Sequence, residues 1–325
     1  MKLKPLVINM ETGTVIKSTG SWYNVKLDSG EIIPSRIKGK FRLDDFKVTN
    51  PVAVGDIVDL DIEKDEDTVG TIKNIHPRVN YVVRQSPRKK HFVHLMATNI
   101  DQAVVIITLK EPTIKIGFID RFLLMTEPYS IPVTIVFNKV DLHEKEDEDF
   151  VEYIKAVYSS IGYSVLETSI VSEEGLDELK ETLKDKTTLI SGQSGVGKSS
   201  LVNAIAPELD LKTQDISEYS GKGQHTTTFA EMFELSFGGR IIDTPGIKTL
   251  GFNHLELMDV AHNFREFFIL SEDCKFNNCL HRNEPKCAVK EALENGEISA
   301  IRYENYLSIL QDIEDQNYWE IQKDI

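Results

Sequence analysis

Apolar positions change their spacing twice along the chain. Up to about residue 72 they fall in short runs broken by turn residues: Gly13-Thr-Val-Ile, Trp22 to Leu27, Asp28-Ser-Gly30, Glu31-Ile-Ile, Val54-Gly-Asp-Ile-Val-Asp-Leu and Thr71-Ile. Short strands with glycine and aspartate turns at this spacing predict a small β-barrel, and five-stranded barrels of the OB type often bind oligonucleotides. Trp22, Tyr23 and Phe41 offer either stacking faces for bases or filling for the barrel core. From about residue 100, longer apolar runs at 103–108, 131–137, 164–166, 188–190 and 241–242 alternate with helical stretches near 119–126, 150–161, 176–183 and 199–206. That alternation predicts a parallel sheet covered by helices on both faces, with ligands at the carboxyl ends of its strands. After Leu257 the pattern is helical on both sides of a segment rich in cysteine and histidine, with helices expected over 288–295 and 298–315. The expected architecture is multi-domain: an N-terminal OB-fold β-barrel over 1–72, a central α/β domain over 73–257, and a C-terminal α-helical metal-binding domain over 258–325.

Composition narrows this picture. The 325 residues, 41% of them apolar, suit two or three globular domains of roughly 100 to 200 residues each. No run approaches the 18 or more apolar residues of a membrane span, and residues 1–10 lack the apolar core of a secretion signal, so a cytoplasmic chain away from membranes is expected. A monomer is expected. The formal charge of −15 argues against a uniformly basic nucleic-acid binder. Arg78, Arg84, Arg88, Lys89 and Lys90 nevertheless lie between His76 and His94 with no acidic residue among them, which leaves room for one local basic surface.

Gly192-Gln193-Ser194-Gly195-Val196-Gly197-Lys198-Ser199-Ser200 follows a strand-like run and opens a helical one. In that context it reads as a phosphate-binding loop. Its backbone N–H groups wrap the α and β phosphates, Lys198 reaches the β and γ phosphates, and Ser199 offers its hydroxyl to Mg²⁺. Asn138-Lys139-Val140-Asp141 ends another apolar run. A carboxylate at Asp141 accepts both the N1–H and the exocyclic amine of guanine, a donor pair that adenine lacks, so the substrate is GTP and the product GDP. Asn138 would tie the base edge to the phosphate loop, and the Lys139 stem would lie over the ring. Thr168-Ser169-Ile170 fits the short loop that contacts the guanine carbonyl through its backbone. Asp243-Thr244-Pro245-Gly246 places Asp243 toward a Mg²⁺ water and the Gly246 N–H toward the γ phosphate.

Gly221-Lys-Gly-Gln-His225-Thr226-Thr227-Thr228 lies where a nucleotide-sensing switch belongs. One of its threonines, taken as Thr227, would complete the Mg²⁺ shell. Ile247 stands where many GTPases carry a water-orienting glutamine, which leaves Gln224 or His225 for that task; the plainer reading of His225 is a solvated loop residue. Catalysis is thereby assigned to Lys198, Thr227 and His225. Because the base motifs at 138 and 168 precede the phosphate loop, the G domain is circularly permuted, and the Asp243 motif leads straight into the C-terminal segment. There Cys274, Cys279, His281 and Cys287 supply three thiolates and one imidazole, the ligand set of a closed, structural zinc site.

The order of these motifs resembles the bacterial ribosome small-subunit-dependent GTPase A family, also called YjeQ, over nearly the whole chain. The resemblance implies an OB fold, a permuted G domain and a zinc domain. It also implies late maturation of the small ribosomal subunit as the task, with that subunit and its rRNA as partners and as stimulator of GTP hydrolysis. It further implies that His225 assists hydrolysis and that ppGpp competes for the nucleotide site. Where a small residue is common at this loop position, the chain carries Ile170. An assembly checkpoint, in which GTP binding acts and hydrolysis only resets it, is the alternative.

Overall fold

The computed structural model describes residues 10–38, 48, 50–64, 68–85, 92–113, 116–211, 230–244 and 255–321. Strands β1 (Met10–Ser18), β2 (Tyr23–Leu27), β3 (Ile32–Ile37), β4 (Ile57–Lys64) and β5 (Thr68–Ile75) form a barrel. It closes because β1 pairs with both β2 and β4, while β3 runs parallel to β5. Val15, Val25, Ile33, Val58, Leu60 and Ile72 fill its centre. Of the candidate stacking aromatics, Tyr23 belongs to this core at 2% exposure, and its hydroxyl donates to Asn50 over 2.5 Å. Trp22 is 45% exposed with the Arg36 guanidinium 6.0 Å from its ring, and Phe41 lies outside the described residues.

A two-stranded hairpin, β6 (Tyr81–Gln85) and β7 (Val93–Thr98), follows the barrel. Of the five cations expected to form a basic surface, the structure describes Arg78 and Arg84. Arg78 is buried against the barrel, where its Nε and Nη2 each donate over 2.7 Å to the carboxylate of fully buried Asp56. A guanidinium neutralised in this way presents no charge to a phosphate backbone. Burial also weakens the hold of Arg84 on its proton, and Arg88, Lys89 and Lys90 lie outside the described residues.

The central unit runs β8 (Gln102–Ile107), α1 (Gly117–Thr126), β9 (Val133–Asn138), α2 (Lys145–Ser160), β10 (Ser164–Thr168), α3 (Leu176–Leu183), β11 (Thr187–Gly192), α4 (Lys198–Ile205), β12 (Glu231–Glu234) and β13 (Arg240–Asp243). Across the sheet the order is β10-β9-β8-β11-β13-β12, all parallel except β12 against β13. Every residue of β8 and β9 is buried because the two faces serve separate cores. Ala103, Val105 and Ile107 meet Phe122 of α1 and Ile154 of α2, whereas Val104 and Ile106 meet Leu179 of α3 and Leu201 of α4. Neighbouring β8 and β11 thus send their connections to opposite faces, leaving a crevice at their carboxyl ends.

Helices α5 (Leu257–His262), α6 (Arg265–Ser271), α7 (Ala288–Glu294) and α8 (Ala300–Ile321) complete the described chain, α8 running beyond the expected end at 315. Phe264, Phe267, Tyr306 and Ile309 join the core of α1 and α2. A buried ion network locks this contact. Arg302 of α8 pairs with Asp120 of α1 and, over 2.8 and 2.9 Å, with Glu266 of α6, while Tyr158 donates to Asp120 over 2.7 Å. At the opposite edge, β12 pairs with β1 of the barrel at Lys17↔Glu231, so that one continuous sheet runs from the central unit into the barrel, and an ion pair of 2.7 Å reinforces the junction.

Candidate nucleotide site and metal centre

The phosphate loop begins where β11 ends. A Cβ on Gly192 would lie 2.6 Å from the Ile106 carbonyl oxygen, so only glycine lets β11 pass β8 this closely. Val196 is buried in the α3/α4 core and pins the loop, whereas Ser194 and Gly195 are exposed and Gln193 is half-buried. Gly197, at φ 83°, turns the chain into α4, and a Cβ there would lie 2.7 Å from Asn138 Nδ2. Lys198 opens α4 with half-buried Ser199 and Ser200 behind it. Its ammonium pairs with Asp243 and donates to the Thr244 carbonyl. Asp243 ends β13 in register with Ile190 of β11, so these opposite charges come from adjacent strand ends.

The base-side motif meets this loop directly. Asn138, 2% exposed, donates from Nδ2 to the Val196 carbonyl over 2.8 Å, and its Oδ1 accepts from the Thr168 hydroxyl over 3.0 Å. Thr168 stands opposite Asn138 in the β9/β10 register, which is why those two segments meet. Lys139 takes the left-handed backbone, φ 63°, and its ammonium donates to the carbonyls of Gly195, over 3.0 Å, and Glu111. Ser169 is fully buried, and its Oγ accepts from the N–H groups of Val171 and Ser172 over 3.0 and 3.1 Å. The one hydroxyl proton is then committed to Asp141 Oδ1, 2.5 Å away, which orients that exposed carboxylate. Ile170, 43% exposed, projects at the rim.

The structure therefore brings together Asn138, Lys139, Asp141, Ser169, Lys198, Asp243 and the loop from Gly192 to Ser200 at one end of the sheet. His225, Thr227 and Gly246 lie outside the described residues. Sequence reading missed three participants: the Ser169 hydroxyl, the Thr168 hydroxyl and the loop that follows β8. The only local signal for that loop was a Lys-Glu-Pro turn at 110–112 after an apolar run.

The four donor atoms of Cys274, Cys279, His281 and Cys287 lie within 4.8 Å of one another. Cys274 and Cys287 sulfurs are 3.9 Å apart, and His281 Nδ1 is 3.7 and 3.4 Å from them. A tetrahedral ion with metal–sulfur bonds of about 2.3 Å and metal–nitrogen bonds of about 2.0 Å spaces its donors by roughly 3.5 to 3.8 Å, so the set fits a metal ion. Burial pushes the Cys279 thiol up to about 12, so a thiolate there calls for a cation beside it. The Tyr303 and Tyr306 hydroxyls donate to the His281 and Leu280 carbonyls over 2.6 and 2.9 Å, holding the knot on α8. Arg282, next to His281, pairs with Glu314 of α8 over 2.7 Å.

Numbered from the phosphate-loop strand β11, the sheet order becomes 6-5-4-1-3-2, and this order with this site defines a circularly permuted P-loop GTPase. A family model described as RsgA GTPase matches residues 75–253, and one described as RsgA N-terminal domain matches residues 12–72. The chain belongs to the RsgA GTPase family. It is 51% identical to the small ribosomal subunit biogenesis GTPase RsgA of Flavobacterium psychrophilum, covering 94% of each protein. It is 45% identical to the protein of that name from Bacteroides fragilis, covering 94% of this chain and 98% of that one. Among solved structures it resembles YjeQ from Thermotoga maritima, with a TM-score of 0.72 and 35% identity over 94% of this chain and 98% of that one. It also resembles YloQ, described as a circularly permuted GTPase, with a TM-score of 0.69 and 32% identity over 97% of this chain and 99% of that one.

Proposed function

We propose that this GTPase acts in late maturation of the small ribosomal subunit, hydrolysing GTP slowly alone and faster on that subunit. The observation that carries the nucleotide half of this reading is Asn138, whose amide is bonded at once to the phosphate loop and to Thr168. A base pocket and a phosphate cradle joined by a buried hydrogen bond act as one preorganised unit. The ribosomal half is supported by relatives 51% and 50% identical that carry the name small ribosomal subunit biogenesis GTPase.

In this reading Asp141 accepts the two guanine donors and Lys139 covers the ring. Backbone N–H groups of the loop from Gly192 to Gly197 wrap the α and β phosphates, and Lys198 exchanges its contact with Asp243 for β and γ phosphate oxygens. Ser199 and Asp243 are the hydroxyl and carboxylate that would hold Mg²⁺, which when bound neutralises charge between the β and γ phosphates. Thr227, Gly246 and His225 complete the assignment as third Mg²⁺ partner, γ-phosphate sensor and water-orienting group. ppGpp, carrying the same base and α and β phosphates, competes here.

The Cys274, Cys279, His281 and Cys287 set is read as a structural zinc site, since four ligands leave no open position. The barrel, residues 1–72, is read as the rRNA-facing part, with Trp22 beside Arg36 as its exposed stacking pair. The GTPase unit spans 73–257 and the zinc-bearing unit 258–325. A cytoplasmic monomer fits; no helix among the described residues is long and apolar enough to cross a membrane. The test is GTP turnover with and without purified small subunits, with large subunits as control. Stimulation by the small subunit alone is expected; equal slow turnover in all three samples would overturn the partner.

A further inference from the structure

We propose that the loop after β8, from Thr108 to Pro112, is a positioning segment for guanine-nucleotide binding, acting through Lys139 and Gly195. The reading rests on the assignment of Asn138 to Asp141 as the base-recognition segment. Lys139 sends its ammonium back across the site instead of into solvent, and that ammonium is caught between two carbonyls from separate loops. One is Gly195 of the phosphate loop; the other is Glu111. Two fixed acceptors give a flexible four-carbon stem a single direction, and the stem is what lies against a bound base.

Two contacts and one close approach hold Glu111 where this needs it. The Thr108 hydroxyl, fully buried, donates to the Pro112 carbonyl over 2.7 Å and so closes the loop on itself. Lys110 pairs with Asp147 of α2 over 2.6 Å, which ties the loop to the helix that follows the base motif. Pro112 reaches the phosphate loop, its Cδ 3.5 Å from where a Cβ on Gly195 would stand. The segment therefore touches the base motif at Lys139, and through the shared Lys139 ammonium it is linked to Gly195 of the phosphate loop. Its described hydrogen bonds and ion pair run to the base motif, to α2 and within the segment itself, whereas Lys198 and Asp243 are where the γ phosphate is handled. Its influence belongs to nucleotide affinity and leaves the hydrolytic step alone.

The test compares Thr108→Val, which keeps shape but removes the donor, with Thr108→Ser, which keeps the donor. Loss of one buried hydrogen bond corresponds to about a five-fold effect. With a fluorescent mant-GDP probe and steady-state GTP turnover, Thr108→Val should raise the GDP dissociation constant and the KM for GTP together by about five-fold. The kcat should stay within about two-fold, and Thr108→Ser should bind like the parent. Lys110→Ala should shift affinity in the same direction by a smaller factor. Parent-like GDP affinity in a cooperatively folded Thr108→Val, equal weakening in Thr108→Ser, or a loss confined to kcat would each overturn the proposal. If Thr108→Val does not fold, Lys110→Ala decides, and unchanged affinity there counts against it. Asp141→Asn measured alongside separates the two readings, because unchanged base selectivity in that variant would remove the base assignment itself.

Discussion

The metal knot draws its four donors from one short segment, 274–287, whereas the nucleotide site draws its groups from strand ends spread between 108 and 243. In the knot, nearby turns bring three thiols and an imidazole within reach of a single ion, and burial keeps the Cys279 thiol protonated unless a cation stands beside it. At the nucleotide end nothing local would bring Asn138 to Val196 or Lys198 to Asp243; the sheet order places β9, β8, β11 and β13 side by side, and the contacts follow. One centre is a local donor set that could hold an ion, and the other is assembled by the order of strands in the sheet. Damage to them should therefore differ in kind: a lost ligand dismantles the knot, while a lost side chain at the nucleotide end changes recognition on an intact scaffold.

The sharpest way to break that contrast is Asp141→Asn. The carboxylate is exposed, so the fold should persist with an unchanged melting temperature. An amide presents one acceptor and one donor where guanine needs two acceptors, so GTP affinity should fall by roughly 10²–10⁴-fold. Xanthosine triphosphate, whose C2 carbonyl suits the amide donor, should gain. A competition assay between the two nucleotides measures this, and a parallel loss of both would mean that Asp141 supports structure instead of reading the base.

Cys279→Ser comes next. Metal content by atomic emission should fall from about one ion per chain to near zero, and the C-terminal helices should lose protection from proteolysis. GDP affinity should stay within about two-fold of the parent, because the described contacts of the knot run to α8 and not to the described groups of the nucleotide site. Acidification should release the ion from the parent in the same way, since protonation of the thiolates withdraws the ligands. A large drop in GDP affinity would instead show the two centres to be coupled through the shared core of α1, α2 and α8.

Ser169→Ala carries the smallest expected effect. It removes the proton that orients Asp141 and the acceptor for two backbone N–H groups, at a cost of about 1 kcal/mol, or roughly five-fold in GDP affinity. The same assay that reads Asp141→Asn reads this one, and an effect as large as that of Asp141→Asn would shift base recognition from the carboxylate to the serine.

Much of both centres was legible in the chain. The phosphate loop and the base motif each rest on a few adjacent residues whose chemistry depends on spacing, and each stands after an apolar run that became a strand. The cysteine and histidine spacing was readable for the same reason. Reading failed where a residue's partner was remote. Arg78 counted as available charge until Asp56 was found beneath it. Trp22 and Tyr23 are adjacent and equally apolar in sequence, yet one faces solvent and the other fills the barrel. Asp120 lies on an apolar helix with nothing nearby to announce Arg302, which follows it by more than half the chain.

By itself, then, the amino-acid sequence determined the local chemistry: which loop can wrap phosphates, which carboxylate can read guanine, which thiols can share an ion, and in which order the motifs occur. These depend on bond geometry and side-chain type within a few residues. Tertiary structure alone decided which charges are spent on one another, which aromatic faces water, and that a loop after β8 should hold Lys139. Those outcomes follow from strand order and packing, which set the distance between groups that the chain itself keeps far apart.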